Sequence, residues 1–284
     1  MNRDEFLRRL KALLSDMGRE ELEQVEEYYE ELLYDGLEQG YTEEEILKGF
    51  GSPEEAARKM REEYGGLIVY EAKSQEEGYE ASDMVHTVKV EAANVRIRVR
   101  TVEDGPIRVL FKPREGCDQV SFKEENGIFS FQHKMKGFLH LNWLNLFIDF
   151  SVIILEIPKS FAGSLQLKTS NAAIAVSNLS QLGKGEFVSS NGKIRAENIR
   201  AGALKLQTQN GTVVGRNLIS DDITMQTCNG SIMGSVIGNA NDYTIESRTV
   251  NGSNNLAQCA PVQGRLKHLK AWTTNGRIQV EFIG

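Results

Sequence analysis

The feature that most constrains this chain is a turn motif recurring about every 20 residues through its second half, a period typical of stacked repeat architectures. Aligned on asparagine, the motif falls at Asn171, Asn191, Asn210, Asn229, Asn251 and Asn275, with spacings of 20, 19, 19, 22 and 24. Glycine follows every one of these except Asn171, which precedes Ala172. A hydroxyl stands two residues before each: Thr169, Ser189, Thr208, Thr227, Thr249 and Thr273. Three residues after come Ile174, Ile194, Val213, Ile232 and Ile278, with Asn254 breaking the column. Further on lie Asn178-Leu179, Asn198-Ile199 and Asn217-Leu218, replaced by Val236-Ile237 in the fourth copy. The segments before the turns alternate like strands, as in LQLKT, LKLQT and ITMQT.

A unit this short cannot bury its own apolar side and must stack on a neighbour. The spacing therefore predicts a β-solenoid in which Thr-x-Asn-Gly is one corner, repeated at each level. Thr and Asn side chains would form ladders along the stack, and Ile, Val and Leu would form continuous columns. Asn-Gly also suits turns with φ > 0, so a meander of hairpins with type I′ turns is the competing reading. Pairing decides between them. The solenoid requires 204–208 parallel to 223–227, with Asn210 and Asn229 at equivalent corners, whereas the meander requires 204–208 antiparallel to 212–216. Upstream, 86–160 reads as less regular strands with turns at Asn94, Asn126-Gly127 and Pro158, leaving 161–284 as the regular repeats.

The front of the chain is different. Residues 1–64 hold 9 Lys/Arg against 19 Asp/Glu, a net −10, whereas the remaining 220 residues carry 24 against 21. Phe6, Leu7, Leu10, Leu13, Leu14 and Met17 follow helical spacing, as do Leu22, Val25, Tyr28, Tyr29, Leu32, Leu33 and Leu37. Thr42-x-x-Glu45 and Ser52-Pro53-x-Glu55 are capping boxes that start two more helices. Residues 67–85 lose periodicity and read as a linker. The expected organisation is multidomain, α plus all-β: a small acidic helical bundle at 1–66, a linker at 67–85 and a β-solenoid domain of about 20-residue repeats at 86–284.

Two resemblances follow from these residues. FLRRLKALL, the tyrosine-rich EEYYEELLYDGLEQG and above all GFGSPEEAARKM (49–60) resemble the bacterial HAAS signalling domain over about residues 1–64. That resemblance implies a protein-interaction role; such domains are usually coupled to membrane segments and often associated with PadR-type regulators. The stretch VIILEIPKSFAGSLQLKTSN with the Asn-Gly series behind it resembles the bacterial putative adhesin family of repetitive β-helix domains over about 86–284. It implies a non-catalytic β domain of envelope-associated and stress-linked bacterial proteins.

Chemistry is sparse. Sugar-cleaving β-helices need clustered carboxylates, but from residue 160 onward there are only Asp221, Asp222, Asp242, Glu186, Glu197, Glu246 and Glu281. Asp221 and Asp222 are adjacent, and on a strand they would point to opposite faces. His86, His133, His140 and His268 show no ligand spacing, and Cys117, Cys228 and Cys259 are odd in number and scattered. No catalytic, cofactor or metal residues are expected, and the charge pattern is no nucleic-acid footprint. The apolar 138–158 contains His140, Asp149 and Glu156 and ends in proline, so it reads as buried strands rather than a membrane span. No secretory signal is read at the N-terminus. Trp143, Trp272 and Tyr28-Tyr29 read as core rather than binding platforms. The expectation is a non-enzymatic bacterial interaction protein of envelope-stress or signalling circuitry, with no cofactor, located in the cytoplasm or at the inner face of the membrane. Its protein partner would be a bacterial regulator or envelope protein that docks on Glu20, Glu23, Glu27 and Glu30. The alternative is a carbohydrate-binding or carbohydrate-active β-helix.

Overall fold

A computed structural model describes residues 1–38, 40–64, 67–72, 85–136, 151–259 and 264–284, with the backbone alone at 19–21, 23, 24, 27, 31, 34, 35, 38, 63 and 64. Its contacts separate into two units, one built on Met1–Leu67 and one on Ile68–Lys136 with Val152–Gly284.

The first unit comprises helices α1 (Arg3–Leu13), α2 (Arg19–Glu38), α3 (Glu43–Phe50) and α4 (Pro53–Tyr64). Their starts are set by local hydrogen bonds. Asn2 caps α1 by accepting from the Glu5 amide at 2.9 Å. The Thr42 and Glu45 groups satisfy each other's amides at the head of α3. At α4, the Glu55 amide donates to Ser52 Oγ and the Ser52 amide to the Glu55 carboxylate, each at 3.1 Å. Such reciprocal caps use amides that would otherwise lack helical partners. The amphipathic faces close on a core of Phe6, Leu10, Leu14, Val25, Tyr29, Leu33, Ile46, Phe50, Ala56 and Met60. Phe6, Tyr29 and Phe50 pack edge-on or tilted at centroid distances of 5.0–5.5 Å. Tyr28 is buried beside Tyr29.

The second unit is a β-solenoid. Its strands are β1 (Ile68–Glu71), β2 (Thr87–Ala92), β3 (Arg96–Val102), β4 (Arg108–Phe111), β5 (Asp118–Glu125), β6 (Ile128–Met135), β7 (Val152–Pro158), β8 (Ser164–Thr169), β9 (Ile174–Ser189), β10 (Ile194–Gln207), β11 (Val213–Gln226), β12 (Ile232–Ile237), β13 (Tyr243–Arg248), β14 (Lys267–Trp272) and β15 (Ile278–Ile283). β10 runs parallel to β11, with Leu204 opposite Ile223 and Leu206 opposite Met225. That register is the solenoid's, and the hairpin meander is excluded. Inside, Ile97, Ile174, Ile194, Val213, Ile232 and Ile278 form one continuous column, each at most 1% exposed. Asn254, which breaks the sequence pattern, bridges to Ile278 on the outermost level, and Leu256 is buried beside it.

Several expectations need correction. Residues 68–71, read as part of the linker, pair antiparallel with β4, and Ala72 joins the core, because Tyr70 packs its ring 5.1 Å from Phe131. The rest of that linker, 73–84, lies outside the described residues. The 86–160 region is not wholly irregular: β2 and β3 form a full coil in register with β8 and β9, hidden in the sequence because 103–160 intervenes before the next copy. The last two coils are also stacked out of chain order. β14 inserts between β11 and β13, and β15 pairs with β12. Of the apolar stretch 138–158, Val152–Pro158 is a strand as expected, and 138–150, with His140 and Trp143, lies outside the described residues. Trp272, read as core, is 45% exposed.

Candidate functional site: the helical face and the solenoid corners

On the helical unit, Asp4, Leu7, Arg8 and Lys11 of α1 and Glu26 and Glu30 of α2 line a cleft of about 300 Å³. Arg3 pairs with Glu30 and Lys11 with Glu26 across it. The surface around Glu30 is therefore a mixed-charge seam rather than a purely acidic face. The side chains of Glu20, Glu23 and Glu27 lie outside the described residues, although their backbone belongs to α2. Nearby, Arg61 ties α4 to the end of α1 through Leu13 O and Asp16 Oδ1, both at 2.7 Å.

At the solenoid corners the twelve repeat residues come together as two ladders. Each hydroxyl donates to the backbone carbonyl of the neighbouring coil, at the residue after that coil's asparagine. Thr169 reaches Val95 O at 3.1 Å, Ser189 Ala172 O at 3.1 Å and Thr208 Gly192 O at 2.9 Å. Thr227, Thr273 and Thr249 reach Gly211 O, Gly230 O and Gly276 O, each at 2.8 Å. The asparagines form the outer ladder, each donating Nδ2 to the Oδ1 of the next. The order is Asn251, Asn275, Asn229, Asn210, Asn191, Asn171 and finally Asn94. A second ladder of Asn217, Asn198 and Asn178 runs along another corner, where φ is 52–60°. These buried and exposed polar groups are satisfied within the stack, as buried groups must be.

The glycines have a different role from the one expected. None of Gly192, Gly211, Gly230, Gly252 and Gly276 has positive φ. A Cβ at Gly192, Gly211, Gly230, Gly276 or Gly252 would instead lie 1.8–2.2 Å from a carbonyl oxygen of the adjacent coil. Glycine is required by close approach of backbones, not by turn conformation. Ala172, the one corner without this glycine, follows Asn171, which is bonded to Asn94 of the neighbouring coil, where φ is 59°.

Sequence reasoning missed a buried polar cluster beside the β5–β6 hairpin. The Asp118 and His133 side chains are both fully buried, with His133 Nε2 3.0 Å from Asp118 Oδ1. Arg114 grips the same carboxylate through its backbone amide at 2.7 Å and its guanidinium at 3.0 Å. Burial works to raise the Asp118 pKa, but the Arg114 and His133 hydrogen bonds outweigh it and hold the carboxyl below its usual range. Asn126-Gly127 fixes the hairpin register that puts Asp118 opposite Met135 and Val120 opposite His133, so the diagonal contact follows from that turn. Among the described residues no cluster of three or more His, Cys, Asp or Glu could hold a metal. No helix among them is long and apolar enough to cross a membrane.

The HAAS family model matches residues 5–59, and the Toastrack DUF4097 model matches 84–282. No curated protein matches the chain. A solved structure titled as a putative cell adhesion protein from Clostridium sporogenes aligns with a TM-score of 0.41 and 9% identity, covering 76% of this chain and 100% of its own. A putative adhesin from Bacteroides fragilis aligns at 0.32 and 14%, covering 76% and 97%. With parallel coils turned at hydroxyl-x-Asn corners from Thr169 to Asn275 and a family model that matches most of its length, this chain belongs to the Toastrack DUF4097 family and carries a HAAS domain at residues 5–59.

Proposed function

We propose that this chain is a non-enzymatic interaction protein of bacterial envelope-stress or signalling circuitry, in which the helical domain docks a protein partner and the solenoid is a rigid scaffold. The observation that carries this reading is the contrast in side-chain use. The corner residues of the solenoid are consumed by their own ladders. The helical unit carries a net −10 over 64 residues and a charged cleft between α1 and α2. Such fields steer oppositely charged partners and make association sensitive to salt. The docking residues are Glu20, Glu23, Glu27 and Glu30 of α2, with Glu30 engaged by Arg3 in the free protein. The partner is a bacterial regulator or envelope protein, met in the cytoplasm or at the inner face of the membrane.

The test is charge reversal of those four glutamates to lysine in the full chain, followed by capture from a lysate of the native host at two salt concentrations. Partner capture should be lost and the circular-dichroism melt nearly unchanged, since exposed charges contribute little to stability. Capture at the wild-type level would move the interaction off this helix.

A further inference from the structure

The chain contains six Asn-Gly dipeptides: the five at solenoid corners and Asn126-Gly127. Asn-Gly is chemically labile because a glycine backbone nitrogen meets no side-chain obstruction as it approaches the asparagine Cγ. The nitrogen attacks Cγ and a new C–N bond forms. The amide proton passes to the departing Nδ2, which leaves as ammonia. Water then opens the succinimide at either carbonyl, giving aspartate or isoaspartate. The sequence consumes one water, releases one ammonia and needs no oxidant or enzyme.

The geometry points to Asn126 as a spontaneous modification site of the folded protein, with the side-chain ladder shielding the five corner Asn-Gly pairs. Asn126 is exposed at the tip of the β5–β6 hairpin, with φ of 51° and a Gly127 φ of 68°. Glu125 and Ile128 close the two-residue loop. Such a loop bonds the residues on either side, not the Gly127 amide that must attack. Among the described residues no hydrogen bond holds the Asn126 side chain. The corner asparagines differ in one decisive respect. Asn191, Asn210, Asn229 and Asn275 each donate to one neighbour and accept from another, so Cγ cannot turn toward the following glycine without breaking two bonds. At Gly192 the attacking amide is itself committed, donating to Ser189 Oγ at 2.9 Å. Asn251, the end rung, donates to Asn275 but has no further rung on its Oδ1 among the described residues.

A gradient follows. One net hydrogen bond corresponds to roughly a fivefold bias, so interior corners should react about 30-fold more slowly than Asn126, and Asn251 about fivefold more slowly. The product would place a new carboxylate beside Glu124 and Glu125. Isoaspartate would also lengthen the backbone next to Gly127, whose carbonyl receives the His86 and Thr87 amides at 2.9 and 3.2 Å.

The experiment incubates the full chain in mildly alkaline buffer, native and in urea, and follows each Asn-Gly peptide by mass spectrometry with isoaspartate detection. In urea all six should react at similar rates. In the native protein Asn126 should react first, Asn251 next and the interior corners last. Interior corners reacting as fast as Asn126 in the native protein would overturn the inference. So would an Asn126 that stays intact natively while all six react in urea.

Discussion

Replacing Gly211 with alanine separates two physical accounts of the solenoid corner. Its backbone φ is not positive, so alanine has no conformational reason to be refused there. The obstacle is space: the new Cβ would lie 2.2 Å from Gly192 O and 2.6 Å from Gly192 C, both backbone atoms of the coil beneath. Restoring ordinary contact requires the two coils to part by about 1 Å, against a strand spacing of about 4.8 Å. The bonds that hold this corner would stretch: Asn210 N to Ser190 O at 3.0 Å, Asn210 Nδ2 to Asn191 Oδ1 at 2.6 Å and Thr208 Oγ1 to Gly192 O at 2.9 Å. Three bonds at a net ~1 kcal/mol each, comparable to the usual penalty for overpacking, give a destabilisation of about 3 kcal/mol. For a domain of this size that is a fall in Tm of roughly 6–12 °C, read by the β signal in circular dichroism. Gly211→Asn is the sharper arm. If the corner needed φ > 0, asparagine would be accepted in place of glycine, but if backbone approach is the constraint, asparagine fails as badly as alanine. A Gly211→Ala melt within about 1 °C of the parent, or tolerance of asparagine alone, would refute the close-approach argument.

Thr208→Val keeps the side-chain shape but leaves the Gly192 carbonyl without its buried hydroxyl donor, and should cost about 1–3 kcal/mol in thermal or urea unfolding. Thr249→Val, at a partly buried rung, should cost less. The Asp118 carboxyl is held below its usual pKa in the folded protein, so its contribution to stability is present above the ordinary aspartate value of about 4 and is lost as pH falls through the lower folded value. Asp118→Asn should therefore flatten the acid limb of a stability-against-pH curve, and an unchanged acid limb would count against the Arg114–Asp118–His133 cluster as its source.

The sequence alone carried the local and periodic information. A period near 20 residues, the hydroxyl two before each asparagine and the aliphatic three after it pointed to stacked coils, because equivalent side chains must fall on one another when a short unit can be buried only by its copies. It took the β10–β11 pairing to exclude the hairpin meander. The capping boxes at Thr42 and Ser52 likewise determined where α3 and α4 begin, since the bonds involved span only three residues. The alternation of charge and hydrophobicity in α1 and α2 marked the helical unit, but not the Arg3–Glu30 and Lys11–Glu26 pairs that modify its acidic face. Tertiary structure decided whatever depends on which coil lies next to which. Asn94 became a rung only because β2 and β3 stack on β8 and β9 across a long insertion. Asn275 came between Asn229 and Asn251 because β14 pairs with both β11 and β13. The reason for each corner glycine was hidden for the same cause. Turn chemistry is a property of neighbours along the chain, whereas the carbonyl about 2 Å from an imagined Cβ belongs to a residue of another coil, as far away in sequence as Gly230 is from Gly276, brought there by the stacking itself.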